Sequence, residues 1–142
     1  MMKIFLDTNI LVDLIADRKP FSKQAIEIFK STEKNKTQLF TSSHSIATAH
    51  YLLKKYVEEK ELRKIIFNLL EFLKVIPVDI DVLKKGLRSN HKDFEDAVQI
   101  LCASSITGIN FIVTRIIKSC EIVTPAFGRH SFVWNMRPNF IF

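Results

Sequence analysis

Cysteine is scarce in this chain. Cys102 and Cys120 are the only two in 142 residues, and their spacing fits neither a metal knuckle nor a disulfide framework. Both read as reduced thiols of a cytosolic protein. Long apolar runs are missing too: no stretch approaches the roughly 18 consecutive apolar residues of a membrane span. The first residues pass directly into a strand pattern, without the basic flank and apolar core of a signal peptide, so a cytoplasmic protein with no membrane partner is expected. There is no internal repeat, linker or low-complexity segment, which leaves a single domain over residues 1–142. Acids run out late in the chain: after Asp96 only Glu121 remains, against Arg115, Lys118, Arg129 and Arg137.

What is present is an ordinary globular composition, 47% hydrophobic and 25% charged, far from the signature of disorder. The formal net charge is +6, from 21 Lys and Arg against 15 Asp and Glu, which is compatible with a polyanionic partner. Most lysines are scattered over helical segments, as on solvated faces.

Apolar periodicity divides the chain into alternating strands and helices. Lys3 to Leu6 reads as a first strand, followed by Ile10, Leu11, Leu14 and Ile15 at helical spacing. Pro20 is placed to open a second helix with Ala25, Ile26, Ile28 and Phe29 on one face. Gln38 to Thr41 is a second strand, and Ser42 to Ser45 supply caps for a helix through Ile46, Ala49, Leu52 and Leu53. Leu62, Ile65, Ile66, Leu69, Leu70 and Leu73 keep the helical period. Val75 to Val78 reads as a third strand, held near an edge by Pro77. Asp79 or Asp81 caps a brief helix ending near Gly86. Phe94, Ala97, Val98, Leu101 and Cys102 share a helical face that Gly108 stops. Phe111 to Val113 is a fourth strand and Glu121 to Val123 a fifth. The tail from Gly128 to Phe142 has no clear period.

Strands alternating with helices predict an α/β fold: a three-layer α/β/α sandwich around a mostly parallel sheet of about five strands. In such sheets ligands bind beyond the carboxyl ends of the strands, where Asp7, Thr8 and Asn9 follow the first strand. Two roles are open to Asp7, helix cap or ligand. Asp93, Glu95 and Asp96 open a later helix, with Asp93 and Asp96 one turn apart; helix-dipole stabilisation alone would account for them. Taken together, two acidic helix starts at one sheet edge suggest a divalent cation, because crowded carboxylates destabilise one another without one. Oxygen ligands suit Mg²⁺ or Mn²⁺, and with a basic protein that chemistry points to phosphodiester hydrolysis. His44, His50, His91 and His130 share no spacing and read as structural or surface residues. Asp13 reads as a supporting or surface acid.

Four ordered blocks carry a resemblance. Phe5-Leu-Asp-Thr-Asn-Ile-Leu-Val-Asp13, Ser42-Ser-His-Ser-Ile-Ala47 leading into Tyr51-Leu-Leu-Lys54, Asp93-Phe-Glu-Asp-Ala97 and Ile112-Val-Thr-Arg115 resemble the successive motifs of PIN-domain proteins, over about residues 2–127, with 128–142 a divergent tail. The resemblance implies an endoribonuclease whose acidic pocket binds Mg²⁺ or Mn²⁺ and cuts RNA by metal-activated water. It further implies, as partners, RNA, an antitoxin protein where the chain is the toxin of a toxin–antitoxin pair, and a second copy in a homodimer. By position, Asp7 and Asp96 match the first and third family acids and Asp93 an accessory acid, so these three are the expected metal ligands. The second acid falls on Thr48, whose hydroxyl would be its catalytic substitute, and the fourth falls on Ser119. Thr8, Asn9, Thr114 and Arg115 are expected to support the site. With two family acids replaced, an alternative is a catalytically weakened or inactive PIN fold that binds RNA or a protein partner.

Overall fold

The computed structural model describes residues 1–17, 19, 21–34, 36–116, 119–123 and 133–135. Its elements in chain order are β1 (Met2–Leu6), α1 (Thr8–Ile15), α2 (Phe21–Glu33), β2 (Thr37–Ser42), α3 (Ser43–Leu53), α4 (Glu59–Leu69), β3 (Leu73–Ile76), α5 (Ile80–Arg88), α6 (Phe94–Ser104), β4 (Phe111–Ile116), β5 (Ser119–Val123) and β6 (Val133–Asn135). The strands form one six-stranded sheet in the order β3-β2-β1-β4-β5-β6. The β1–β2, β2–β3 and β1–β4 pairings are parallel, whereas β5 and β6 are added antiparallel.

Side chains alternate across this sheet as the pleat demands. Ile4, Leu6, Leu39, Leu73 and Val113 face α1 to α4 and join Ile10, Leu11, Leu53 and Leu62 in one core. Phe5, Phe40 and Ile112 face the other way and pack on Val98, Cys102 and Ala103 of α6. The strand and helix pattern therefore closes as three layers, as expected. Among the described residues, no helix is long and apolar enough to cross a membrane.

Several boundaries differ from the sequence expectation, each for a local reason. The Leu69-Leu70-Leu73 run fits a helical face, yet α4 ends at Leu69, backbone bonds such as Phe72 N–H to Leu69 O form a turn, and Leu73 opens β3. Pro77 lies just beyond this edge strand, which thus ends before the residue that lacks a ladder donor. Gly86 does not end α5; it lies inside it, where a Cβ would come within 3.1 Å of the Phe94 ring, so glycine permits the close approach of α5 and α6. Gly108, at φ +72°, serves the loop into β4 rather than capping α6, which stops at Ser104. A sixth strand lies in the unpatterned tail, where Val133 to Asn135 pair with β5; the rest of the tail lies outside the described residues.

The chain moves outward from β1 to β2 to β3, then returns to place β4 on the other side of β1. This reversal opens a crevice at the carboxyl ends of β1 and β4, the usual ligand position in such sheets.

Candidate active site

Asp7 stands at that crevice, half-buried, one residue beyond β1. Its backbone N–H still bonds the Val113 carbonyl of β4 at 3.0 Å, so the sheet ladder itself fixes where the carboxylate begins. Three donors then hold the side chain. Oδ1 accepts from the Thr8 N–H at 2.7 Å and from Gln99 Nε2 at 3.0 Å, and Oδ2 accepts from Thr114 Oγ1 at 2.7 Å. A capping Asp ordinarily accepts from the second or third helical N–H. Asp7 takes only the first, and its remaining bonds go to other elements, so capping α1 accounts for only part of its arrangement.

Behind Asp7 lies a buried network of hydroxyls. Thr8 Oγ1 bonds Ser45 Oγ at 2.9 Å, and Ser42, the N-cap of α3, accepts the Ser45 N–H at 3.0 Å and donates to Gln99 Oε1 at 2.6 Å. Gln99 Nε2 also lies against Ser45 Oγ and Thr8 Oγ1. Thr41 ties β2 to β1 through the Leu6 carbonyl. Thr8, Ser42, Ser45 and Gln99 are all buried. Of the residues expected to support the site, Thr8 and Thr114 contact Asp7 or its neighbours, and Asn9 is half-buried in the first turn of α1. Gln99 did not emerge from the sequence, although it continues the three-residue spacing of Asp93 and Asp96 along one helical face.

Of the acids that open α6, Asp96 lies near enough to Asp7 for the two carboxylates to repel. Asp93 is its N-cap, accepting the Asp96 N–H at 2.9 Å, and Glu95 and Asp96 occupy the first turn. Partial burial raises the Asp96 pKa above the ordinary Asp range, and the Asp93, Asp7 and Glu95 carboxylates push it further up against a smaller opposing effect of His91. Desolvation leads, and repulsion from the neighbouring carboxylates adds to it in the same direction. The folded state then retains a proton that the unfolded state gives up, so this contribution to stability is whole below the usual Asp value and is lost as pH rises through the raised one. In EDTA at neutral pH, Asp96→Asn should accordingly melt above the wild type, by at most about 2 °C because the group is largely exposed and screened. The gain should vanish in melts near pH 3.5, where an ordinary Asp is itself mostly protonated.

Capping and charge can be separated at Asp93. Asn caps a helix as well as Asp does, whereas Ala costs about 1 kcal/mol. Asp93→Asn should leave the urea midpoint nearly unchanged and Asp93→Ala should lower it, while both remove the same carboxylate charge from the crevice.

Other expected residues are placed less simply. Thr48 Oγ1 lies 3.3 Å from His44 Nε2, and that imidazole lies 3.5 Å from Glu95 Oε1. The Thr48 hydroxyl thus faces an imidazole that links α3 to α6. His50 instead bonds Glu59, which also accepts from Arg63, in a surface link between α3 and α4. Asp13 is fully buried within α1, which corrects the surface alternative. Arg115 and Ser119 are described only as strand backbone, paired with Cys120 and Ile116; their side chains and His130 lie outside the described residues. Ser119, where the resemblance puts the family's fourth acid, opens β5, which pairs antiparallel with β4. Burial raises the Cys102 thiol pKa, consistent with an inert core cysteine.

Among the described residues, no three or more His, Cys, Asp or Glu side chains are grouped so that they could hold a metal ion. The expected set of Asp7, Asp93 and Asp96 is therefore not a closed cage. The donors nonetheless fit a hydrated hard cation, which commonly takes one or two carboxylates and completes its shell with water and substrate phosphate. Asp7 Oδ2 has one described donor and a lone pair to spare, and Asp96 sits among like charges that a cation would relieve.

The PIN domain model matches residues 3–117 of the sequence. The chain belongs to the PIN-domain family. A relative, Ribonuclease VapC1 of Aquifex aeolicus, is 30% identical over 106 residues, covering 71% of this chain and 73% of the relative. Among solved structures, VapBC2 from Rickettsia felis, bound to a DNA fragment from its promoter, aligns with a TM-score of 0.56 at 17% identity. That alignment covers 82% of this chain and 90% of the other, and it shows the shared fold.

Proposed function

We propose that the chain is a metal-dependent endoribonuclease that cuts single-stranded RNA and acts as the toxin of a toxin–antitoxin pair. The observation that carries this reading is the Asp7 carboxylate, clamped at the β1–β4 crevice beside the Asp93, Glu95 and Asp96 acids of α6. A ribonuclease among its relatives supports the activity, and a neighbouring fold seen in a VapBC assembly supports an antitoxin partner. A Mg²⁺ or Mn²⁺ ion on Asp7 and Asp96 would supply Lewis acidity that acidifies water and offsets charge on the scissile phosphate. Thr114, Thr8 and Gln99 hold the Asp7 carboxylate in place, so it need not reorganise when substrate arrives. Asp93 adds negative charge to the crevice and fixes the first turn of α6, and with it Asp96. The net charge of +6 favours association with RNA, whose affinity should fall as salt rises. A cytoplasmic site of action and a homodimer belong to the same proposal.

The test is cleavage of a labelled single-stranded RNA with Mg²⁺ or Mn²⁺ and with EDTA. Cleavage in either metal that EDTA abolishes is the expected result. Thr48 at the second-acid position, turned to His44, favours a second reading: a weakened PIN fold that binds RNA or a protein. RNA retention without turnover, and no Mn²⁺ site tighter than about millimolar, would select that reading instead.

A further inference from the structure

We infer that Gln99 is a positioning residue that fills one oxygen of Asp7 and leaves the other to present to a cation. This rests on the nuclease reading and sharpens its site. A carboxylate oxygen has two lone-pair directions. Those of Asp7 Oδ1 are taken by the Thr8 N–H at 2.7 Å and by Gln99 Nε2 at 3.0 Å, whereas Oδ2 receives Thr114 Oγ1 at 2.7 Å and keeps one direction open among the described residues. Asp7 is therefore set to offer a single oxygen, Oδ2, rather than to chelate through both.

The orientation of the Gln99 amide is itself determined. Ionised Asp7 can only accept, so Nε2 must face it, and Oε1 must face the Ser42 hydroxyl that donates at 2.6 Å. Ser42 Oγ has two acceptors within reach, Ser45 Oγ at 3.1 Å and the much closer Gln99 Oε1, while its own oxygen accepts the Ser45 N–H. The chain of bonds runs from the α3 cap through the middle of α6 to the end of β1. Gln99 is 4% exposed, and its amide also lies against Thr8 Oγ1 and Ser45 Oγ, so it knits the buried hydroxyls together as well as reaching Asp7. Of these contacts, the one that bears on the cation is the donor aimed at Asp7.

Gln99→Met keeps the length and removes the donor. Calorimetric titration of metal-free protein with Mn²⁺ should show affinity falling about 10- to 100-fold, the usual effect of losing a group that orients a metal ligand. In RNA cleavage, kcat should fall with little change in KM. Thermal melting checks that the variant folds. The discriminating readout is a double-mutant cycle: in an Asp7→Asn background Gln99→Met should cause no further loss of Mn²⁺ affinity, whereas a role in packing alone would add its effect in both backgrounds. Should Gln99→Met fail to fold, Ser42→Ala frees the amide to turn and should weaken Mn²⁺ binding several-fold, again only when Asp7 is present. Wild-type Mn²⁺ affinity in Gln99→Met, or additive losses in the cycle, would overturn the inference while leaving the nuclease reading intact. A wild type that binds no Mn²⁺ would overturn both, and that outcome is recognisable because the wild type itself is then silent.

Discussion

Asp7→Asn should reduce RNA cleavage by roughly 10³-fold or more, a loss of about 4 kcal/mol in transition-state stabilisation, while the protein stays folded. The two halves of this expectation have separate physical origins. Activity falls because the amide removes the one negative charge placed at the β1–β4 crevice by the sheet ladder itself. The fold survives because every described partner of Asp7 is a donor that Asn can still accommodate. Its Oδ1 accepts the Thr8 N–H and Gln99 Nε2 as before, and its Nδ2 meets Thr114 Oγ1, a hydroxyl able to accept as well as donate. The melting temperature should therefore move by no more than a few degrees. Asp7→Ala, by contrast, leaves buried donors without an acceptor, which costs about 1–3 kcal/mol for such a group, and should melt clearly lower. Parallel melts and single-turnover cleavage of both variants check the pair of claims.

Phe5→Ala should be the most damaging change to stability. Phe5 is fully buried on β1, one of the two central strands, facing α6, where it packs with Phe40, Val98, Cys102 and Ala103. Truncating such a ring costs about 3–5 kcal/mol, a transfer loss plus the cavity left behind. That is a large fraction of the about 5–15 kcal/mol that holds a typical domain. Urea unfolding should show a markedly lower midpoint with little change in slope. Because the lost ring supports the helix that carries Asp93, Asp96 and Gln99, residual activity should fall further than the unfolded fraction alone explains.

The parts of this molecule legible in its sequence are those where one local signal dominates. A short apolar strand leading into Asp7, and a helix with apolar residues on one face and acids in its first turn, are such signals, and the structure has that strand, that helix and an Asp96 close enough to feel the Asp7 charge. The parallel order follows from alternating strands and helices. What escaped depends on partners distant in sequence. Gln99 reads as an ordinary interruption of an apolar face, and only the arrival of Ser42, from 57 residues earlier, and of Asp7, from 92 residues earlier, gives it a role. Asp13 lies on α1 within its helical pattern, and nothing in its neighbours announces complete burial. The strand β6 is three residues long and exists through pairing with β5, so no periodicity marks it. The start of β3 was hidden for the opposite reason: leucines from Leu69 to Leu73 satisfy a helix as well as a strand, and the turn between them has no glycine or proline to signal it.

The most direct measurement is anomalous diffraction from crystals soaked in Mn²⁺. One strong peak is expected at about 2.1 Å from Asp7 Oδ2, within reach of an Asp96 oxygen and otherwise surrounded by water. No peak at the β1–β4 crevice at millimolar Mn²⁺, or a peak whose ligands exclude Asp7, would contradict it.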